Sequence, residues 1–367
     1  MKKLIHQIGS TIKGSDMEKS KDNRRSAMAE KIESKTTKSA KAKDGFARKW
    51  ISFRSEIKVL DCTIRDGGLM NNHRFEDGIV KAVYKACVDA GIDYMELGYK
   101  GSKHIFSPDE YGAWKHSSED DIRRIVGEND TSLKLSVMAD AERTDYHTDI
   151  LPKKQSVLDM IRVATYIHQI PAAIDMIKDA HDKGYETTVN LMAISTVQES
   201  ELDEALELLA GSEAKVIYLV DSFGALYSEQ VHYLLRKYLQ YAEPGGKIVG
   251  MHAHNNQQLA YANTIEAIVV GANMLDTSIA GLGRGAGNCS TELLLGFLHN
   301  PKFKLRPILE CIQNHIEPLR KTLMWGPDVP YMITGFLNQH PRSAIKFNAG
   351  DDRGNIVKFY DMIIEEE

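Results

Sequence analysis

Val59-Leu-Asp-Cys-Thr-Ile-Arg-Asp-Gly-Gly68 begins as a short apolar strand and ends in an Arg-Asp pair followed by two glycines. A buried strand that delivers adjacent opposite charges to its C-terminal tip is costly unless those charges have work to do there. The fold follows from what must surround that tip.

Working outward, apolar or β-branched runs recur near 57–62, 93–98, 133–138, 159–166, 186–193, 215–221, 247–254 and 273–278. Segments with helical spacing separate most of them, at 76–90, 170–183, 199–210, 228–241 and 258–270. Gly91, Gly184 and Gly271 stand where a helix stops before the next strand, the usual C-terminal cap chemistry. The crossover around 140–156 is polar and carries no helical pattern. Strands alternating with helices imply a parallel sheet, and eight repeats over about 240 residues predict an α/β fold of the (β/α)8 TIM barrel type. No G-x-G-x-x-G follows the first strand, so an open dinucleotide-binding sheet loses its main support.

On either side of the barrel, at 53–300, the pattern changes. Residues 1–52 are rich in Lys, Ser and Glu and read as a basic N-terminal arm. Residues 301–367 read as a small helical C-terminal extension, with helices at 305–323 and 330–339. The net charge of -5 hides an asymmetry, because residues 1–50 hold 14 Lys/Arg against 6 Asp/Glu and the remainder is acidic. An acidic body without an aromatic-interleaved basic stripe argues against nucleic acid as the main partner. No apolar run approaches the ~20 residues that span a bilayer, and no secretory signal pattern opens the chain. Cys62, Cys87, Cys289 and Cys311 are scattered without a C-x-x-C pair, which suggests reduced thiols in a cytoplasmic protein.

In such a barrel the active site lies at the C-terminal ends of the strands. The first strand is expected to end at Arg65-Asp66, and the seventh in His252-Ala-His254. Residues two apart on a strand point the same way, so both imidazoles face the mouth. Two imidazoles and one carboxylate form a facial divalent-metal site with positions open to water or substrate, and mixed N/O ligation leans toward Mn2+ or Mg2+. Glu96, at the end of the second strand, is placed to fix the Arg65 guanidinium. After the eighth strand, Gly281-Leu-Gly-Arg-Gly-Ala-Gly287-Asn288 has glycines at Gly283, Gly285 and Gly287 that let backbone N–H groups converge on an anion. Asn190 and Asp221 mark two further strand ends expected to line the substrate. No lysine sits clearly on an inward-facing strand position, which disfavours a Schiff-base aldolase.

Together, D-C-T-I-R-D-G, H-A-H-N-N, D-S-F-G and G-L-G-R-G-A-G-N resemble the metal-dependent lyase and aldolase group. That group includes 4-hydroxy-2-oxovalerate aldolase, 3-hydroxy-3-methylglutaryl-CoA lyase, 2-isopropylmalate synthase and the pyruvate carboxyltransferase domain. G-A-G-N and a tail ending F-L-N-Q-H-P are most similar to the 4-hydroxy-2-oxovalerate aldolase branch. The resemblance implies Asp66, His252 and His254 as metal ligands, with Asn288 as a fourth. It implies Arg65 as the enolate-stabilising group, Glu96 as its holder, and Tyr331 as a tyrosine near the mouth. It also implies a 2-oxo acid substrate, a homodimer and an aldehyde dehydrogenase partner. The chain departs from the aldolases where they place a catalytic histidine three residues after the metal aspartate. Leu69 stands there, and His73 would have to reach in from the next turn. Two other readings use the same residues: an acyl-CoA-dependent condensing synthase, and a degenerate barrel acting as a binding protein, for which Leu69 is the argument.

Overall fold

Each of the eight apolar runs becomes a strand, and each strand pairs in parallel with the next until the last closes on the first. The computed structural model describes residues 54–365; the basic arm at 1–52 lies outside them. The strands are β1 (Lys58–Asp61), β2 (Tyr94–Tyr99), β3 (Lys134–Asp140), β4 (Met160–Thr165), β5 (Glu186–Leu191), β6 (Val216–Asp221), β7 (Ile248–Ala253) and β8 (Met274–Thr277). Closure is set by the register Lys58 to Met274 through Asp61 to Thr277.

The helices are α1 (Thr63–Gly67), α2 (Asp77–Ala90), α3 (Glu119–Val126), α4 (Tyr146–Asp149), α5 (Ile170–Asp182), α6 (Glu199–Ala210), α7 (Ser228–Ala242), α8 (Ala260–Val270) and α9 (Thr291–Leu298). The extension adds α10 (Leu305–Cys311), α11 (Glu317–Leu319), α12 (Val329–Phe336), α13 (Arg342–Asn348) and α14 (Ile356–Glu365). The polar crossover after β3 holds only single turns, as its sequence suggests. α13 and α14 lie beyond the two helices expected there. α14 is amphipathic, burying Phe359 and Ile363 four residues apart against Ala286, Tyr331 and Ile333.

Two apolar layers hold the barrel. Outward-facing strand residues pack on the helices as one large core that includes Val59, Leu97, Val137 and Leu275. Inside, Leu60, Cys62, Tyr94, Met160, Tyr218 and Met274 fill the lower interior, as expected of a packed barrel rather than a pore. All four cysteines are buried free thiols. Among the described residues no helix is long and apolar enough to cross a membrane.

Candidate metal centre and active site

Arg65 and Asp66 leave the strand before they reach the mouth. β1 stops at Asp61, whose carboxylate accepts hydrogen bonds from the Thr63 N–H (3.1 Å) and hydroxyl (2.7 Å). That local bonding competes with strand pairing and starts the single turn of α1. The expectation that the strand itself ends at Arg65-Asp66 is therefore corrected: one helical turn carries both side chains inward, and both are buried.

The Arg65 fork is fixed at two points. Nε donates to Glu96 Oε2 at 2.7 Å, and Nη1 donates to Asp66 Oδ1 at 2.7 Å. Glu96 Oε2 also accepts from Arg162 Nη1 on β4 at 2.9 Å. Arg162 Nη2 reaches Asp276 Oδ2 on β8 at 2.5 Å, and that oxygen meets His252 Nδ1 at 2.9 Å. A continuous chain of charges thus crosses the barrel interior from α1 to β7. Sequence reasoning missed Arg162 and Asp276, although a charge inside an apolar strand is a legible signal, being tolerable only when paired.

Asp66, His252 and His254 are all buried, with ligand atoms within 4.8 Å of one another. His254 Nδ1 meets the Asp221 carbonyl at 3.0 Å. With Nδ1 of both rings engaged by oxygen acceptors, each Nε2 is left as the ligating atom, the usual outer-sphere arrangement of a metal histidine. Burial alone would raise the Asp66 carboxyl, but the positive charge around it, the Arg65 guanidinium foremost, holds it well below the ordinary carboxylate range. Asn288 donates from Nδ2 to Asp66 Oδ2 at 2.7 Å, while its Oδ1 is buried with no hydrogen-bond partner. A carboxylate, two imidazoles and an orphaned amide oxygen fit a divalent cation.

The glycine loop wraps the ligand residues. The Arg284 N–H donates to Asp66 Oδ2 at 3.1 Å, Gly285 N–H meets the Met70 sulfur at 3.1 Å, and Gly287 N–H donates to the Arg284 carbonyl at 3.0 Å. The anion it cradles is the protein's own Asp66. A Cβ at Gly283 would sit 2.5 Å from Asn288 Nδ2 and 2.6 Å from Asp66 Oδ2, and one at Gly287 would meet the Gly281 carbonyl at 2.1 Å. Gly283 and Gly287 thus have a steric role of their own, keeping the backbone against the ligand residues. Arg284, overlooked in the sequence, donates to the Ser222 carbonyl and lies 3.3 Å from both His254 Nε2 and His340 Nε2.

Of the remaining candidates, Asn190 is buried at the end of β5 with Oδ1 unpartnered. The Asp221 carboxylate accepts from the Ala225 and Leu226 N–H groups and holds the turn after β6, while its carbonyl meets His254 Nδ1. The Tyr331 ring lies against Gly285 within the apolar cluster of the extension. Leu69 is 36% exposed. His73 instead returns to the interior: Asn72 and His73 take φ of 53° and 59°, and the His73 N–H donates to the Gly68 carbonyl at 2.7 Å. This left-handed curl presses the imidazole over Gly68, where a Cβ would lie 2.2 Å from Nδ1. His73 Nδ1 is buried without a partner, and burial together with Lys115 and Arg65 brings its pKa down to about 3.

The fold and these side chains define a barrel carbon–carbon lyase with a candidate divalent-metal centre. The chain belongs to the HMGL-like family, whose pattern matches residues 56–313. It is 30% identical over 256 residues to a 4-hydroxy-2-oxovalerate aldolase from Pelotomaculum thermopropionicum, covering 68% of this chain and 72% of that protein. An oxaloacetate decarboxylase from Mycobacterium tuberculosis is 29% identical over 245 residues, covering 65% and 69%. The N-terminal domain of a Bacteroides vulgatus protein assigned to the aldolases superposes with a TM-score of 0.69 at 28% identity, covering 82% of this chain and 99% of that one. The HMG-CoA lyase of Brucella melitensis, at 18% identity and a TM-score of 0.59, shares the fold over 72% of this chain and 99% of that one.

Proposed function

We propose that the protein is a divalent-metal-dependent aldolase that breaks or forms a carbon–carbon bond next to a 2-oxo acid through a pyruvate-type enolate. The observation that carries this reading is a buried arginine held between Asp66 and Glu96 beside the Asp66–His252–His254 cluster. A cation such as Mn2+ or Mg2+, held by Asp66, His252, His254 and Asn288, would polarise the 2-oxo and carboxylate oxygens of the substrate.

In the cleavage direction a 4-hydroxy-2-oxo acid loses its C4 hydroxyl proton to His73. Its low pKa keeps the imidazole neutral and unprotonated, the form a proton acceptor needs. The C3–C4 electrons move into the C2–C3 bond, the C4–O bond becomes an aldehyde carbonyl, and protonation at C3 then yields the 2-oxo acid product. Arg65 uses Nε and Nη1 on Glu96 and Asp66, and Nη2 makes no bond among the described residues. Fixed in this way, its charge lies where the enolate oxygen develops and needs no reorganisation to stabilise it. Asn190 orients the substrate through its unpartnered amide. The aldehyde product calls for an aldehyde-consuming partner, for which an aldehyde dehydrogenase is the chemical match.

Pyruvate release from a panel of 2-oxo acid aldol adducts, with oxaloacetate included and Mn2+ added, tests the proposal. Release from at least one adduct supports it. No release by protein carrying stoichiometric metal overturns it, and free-thiol production from acetyl-CoA plus a 2-oxo acid would point to the condensing synthase instead.

A further inference from the structure

Two lysines near β2 are almost fully buried, and they are treated differently. Lys100 is 3% exposed and donates to the Ser117 carbonyl at 2.8 Å, with Glu119 at 3.4 Å. Lys115 is 4% exposed and has neither a hydrogen-bond acceptor nor an ion-pair partner among the described residues. Its Nζ lies 4.1 Å from the Tyr99 ring centroid and 3.8 Å from that of Phe106. Two aromatic faces stabilise an ammonium without satisfying any of its three N–H donors. A buried cation left in that state is destabilising unless something else supplies the acceptor.

The position of Lys115 says where the acceptor would come from. Tyr99 packs edge-on to His73 at 5.2 Å and lies 5.8 Å from Arg65 Cζ. The Lys115 ammonium and the Arg65 guanidinium therefore flank one ring, roughly 10 Å apart at most by simple geometry. The same ring clusters with Met138, Ala164 and Met192 at the ends of β3, β4 and β5, the side of the mouth away from the metal ligands. Burial lowers the pKa of the Lys115 ammonium, the Asp140 carboxylate at the end of β3 opposes that and Arg143 beyond it adds to it, and none of the described ion pairs joins either to Lys115.

We propose that Lys115 is a specificity-determining residue that binds a second anionic group on the substrate, a carboxylate on the fragment that departs as the aldehyde. The preferred substrate is then a 4-hydroxy-2-oxo dicarboxylate and not a 4-hydroxy-2-oxo monocarboxylate. This rests on the aldolase reading above. Arg65 and the metal ligands take the 2-oxo acid end, and the ammonium takes the other.

The experiment compares kcat/KM for 4-hydroxy-2-oxoglutarate with that for 4-hydroxy-2-oxovalerate, in wild type, Lys115→Met and Lys115→Arg. Wild type should favour the dicarboxylate by about 10²-fold, the range of a hydrogen-bonded charge pair. Lys115→Met should bring the ratio close to unity through KM, and Lys115→Arg should restore part of it. A wild-type preference for the monocarboxylate, or a ratio that Lys115→Met leaves intact, overturns the proposal. Equilibrium binding of 2-oxoglutarate against 2-oxovalerate, with melting curves as a folding control, separates this failure from failure of the aldolase reading. A dicarboxylate advantage that vanishes in Lys115→Met supports the lysine's role even when no adduct is cleaved, and equal binding of the two probes by wild type refutes it.

Discussion

The two sides of the barrel mouth settle their charges differently. Around α1, β7, β8 and the glycine loop, tied through Glu96 and Arg162 to β2 and β4, the charged residues are paired with one another inside the protein, although Glu96 Oε1, Arg162 Nε and Asp276 Oδ1 keep no hydrogen-bond partner. Arg65, Glu96, Arg162, Asp276 and His252 form an unbroken chain, and Asp66 accepts from Arg65, Asn288 and the Arg284 backbone. On the side built by the ends of β2 to β5, Lys115 has no acceptor and the Asn190 oxygen has no donor. A network of paired charges holds one geometry, which bond-making chemistry requires. On the proposed reading, the paired side would carry reaction type and the side holding Lys115 would carry selectivity.

Breaking the bonded side has the largest effect. If Arg65 stabilises the enolate as proposed, Arg65→Ala should lower kcat by about 10³-fold or more, with bound metal measured by elemental analysis staying near the wild-type stoichiometry. Loss of the metal would mean that the arginine's role is structural. Asp276→Ala cuts the chain in its middle, leaving Arg162 buried without its partner on β8. Unfolding in urea should show a loss of about 3–5 kcal/mol, and metal affinity by titration should fall about 10–100-fold as His252 loses its anchor.

The hinge between the two sides is His73. Its folded-state pKa of about 3 lies below the ordinary value of 6.5, so burial of the neutral ring favours the folded state fully above pH 6.5. That contribution is lost as the pH falls toward 3, and at pH 5 the loss is about 2 kcal/mol. His73→Gln should therefore lose less stability than wild type between pH 7 and pH 5, and parallel melting curves would contradict the buried neutral imidazole. The smallest effect belongs to Leu69. Exposed and outside both networks, its replacement by alanine should change stability by no more than about 0.5 kcal/mol. A large fall in turnover for Leu69→Ala would place that side chain in the site.

How much of this was legible depended on where the physical signal sat. The barrel followed from the alternation of apolar runs and helical spacing, because each strand's burial is written into its own residues. His252 and His254 were visible because their spacing shows two imidazoles on one face. Arg162 and Asp276 were written plainly in strands 4 and 8, but their meaning lies in contacts across the interior that no local pattern contains. The glycine loop is ambiguous in the sequence because close packing against Asp66 and anion binding demand the same residue. Lys115 sits in an irregular segment after β2 whose path has no period, so its burial cannot be read along the chain.

The charge chain has a consequence for which species the interior suits. Arg65, Arg162 and Arg284 against Asp66, Glu96 and Asp276 sum to no net formal charge, with the imidazoles counted as neutral. A divalent cation would leave these groups with two uncompensated positive charges. The 2-oxo acid end of a substrate brings one negative charge in its keto form and two as the enolate. On the proposed reading, charge balance among these groups would be reached only when the enolate has formed, and a site balanced at that point would hold the intermediate more tightly than the acid that enters or leaves.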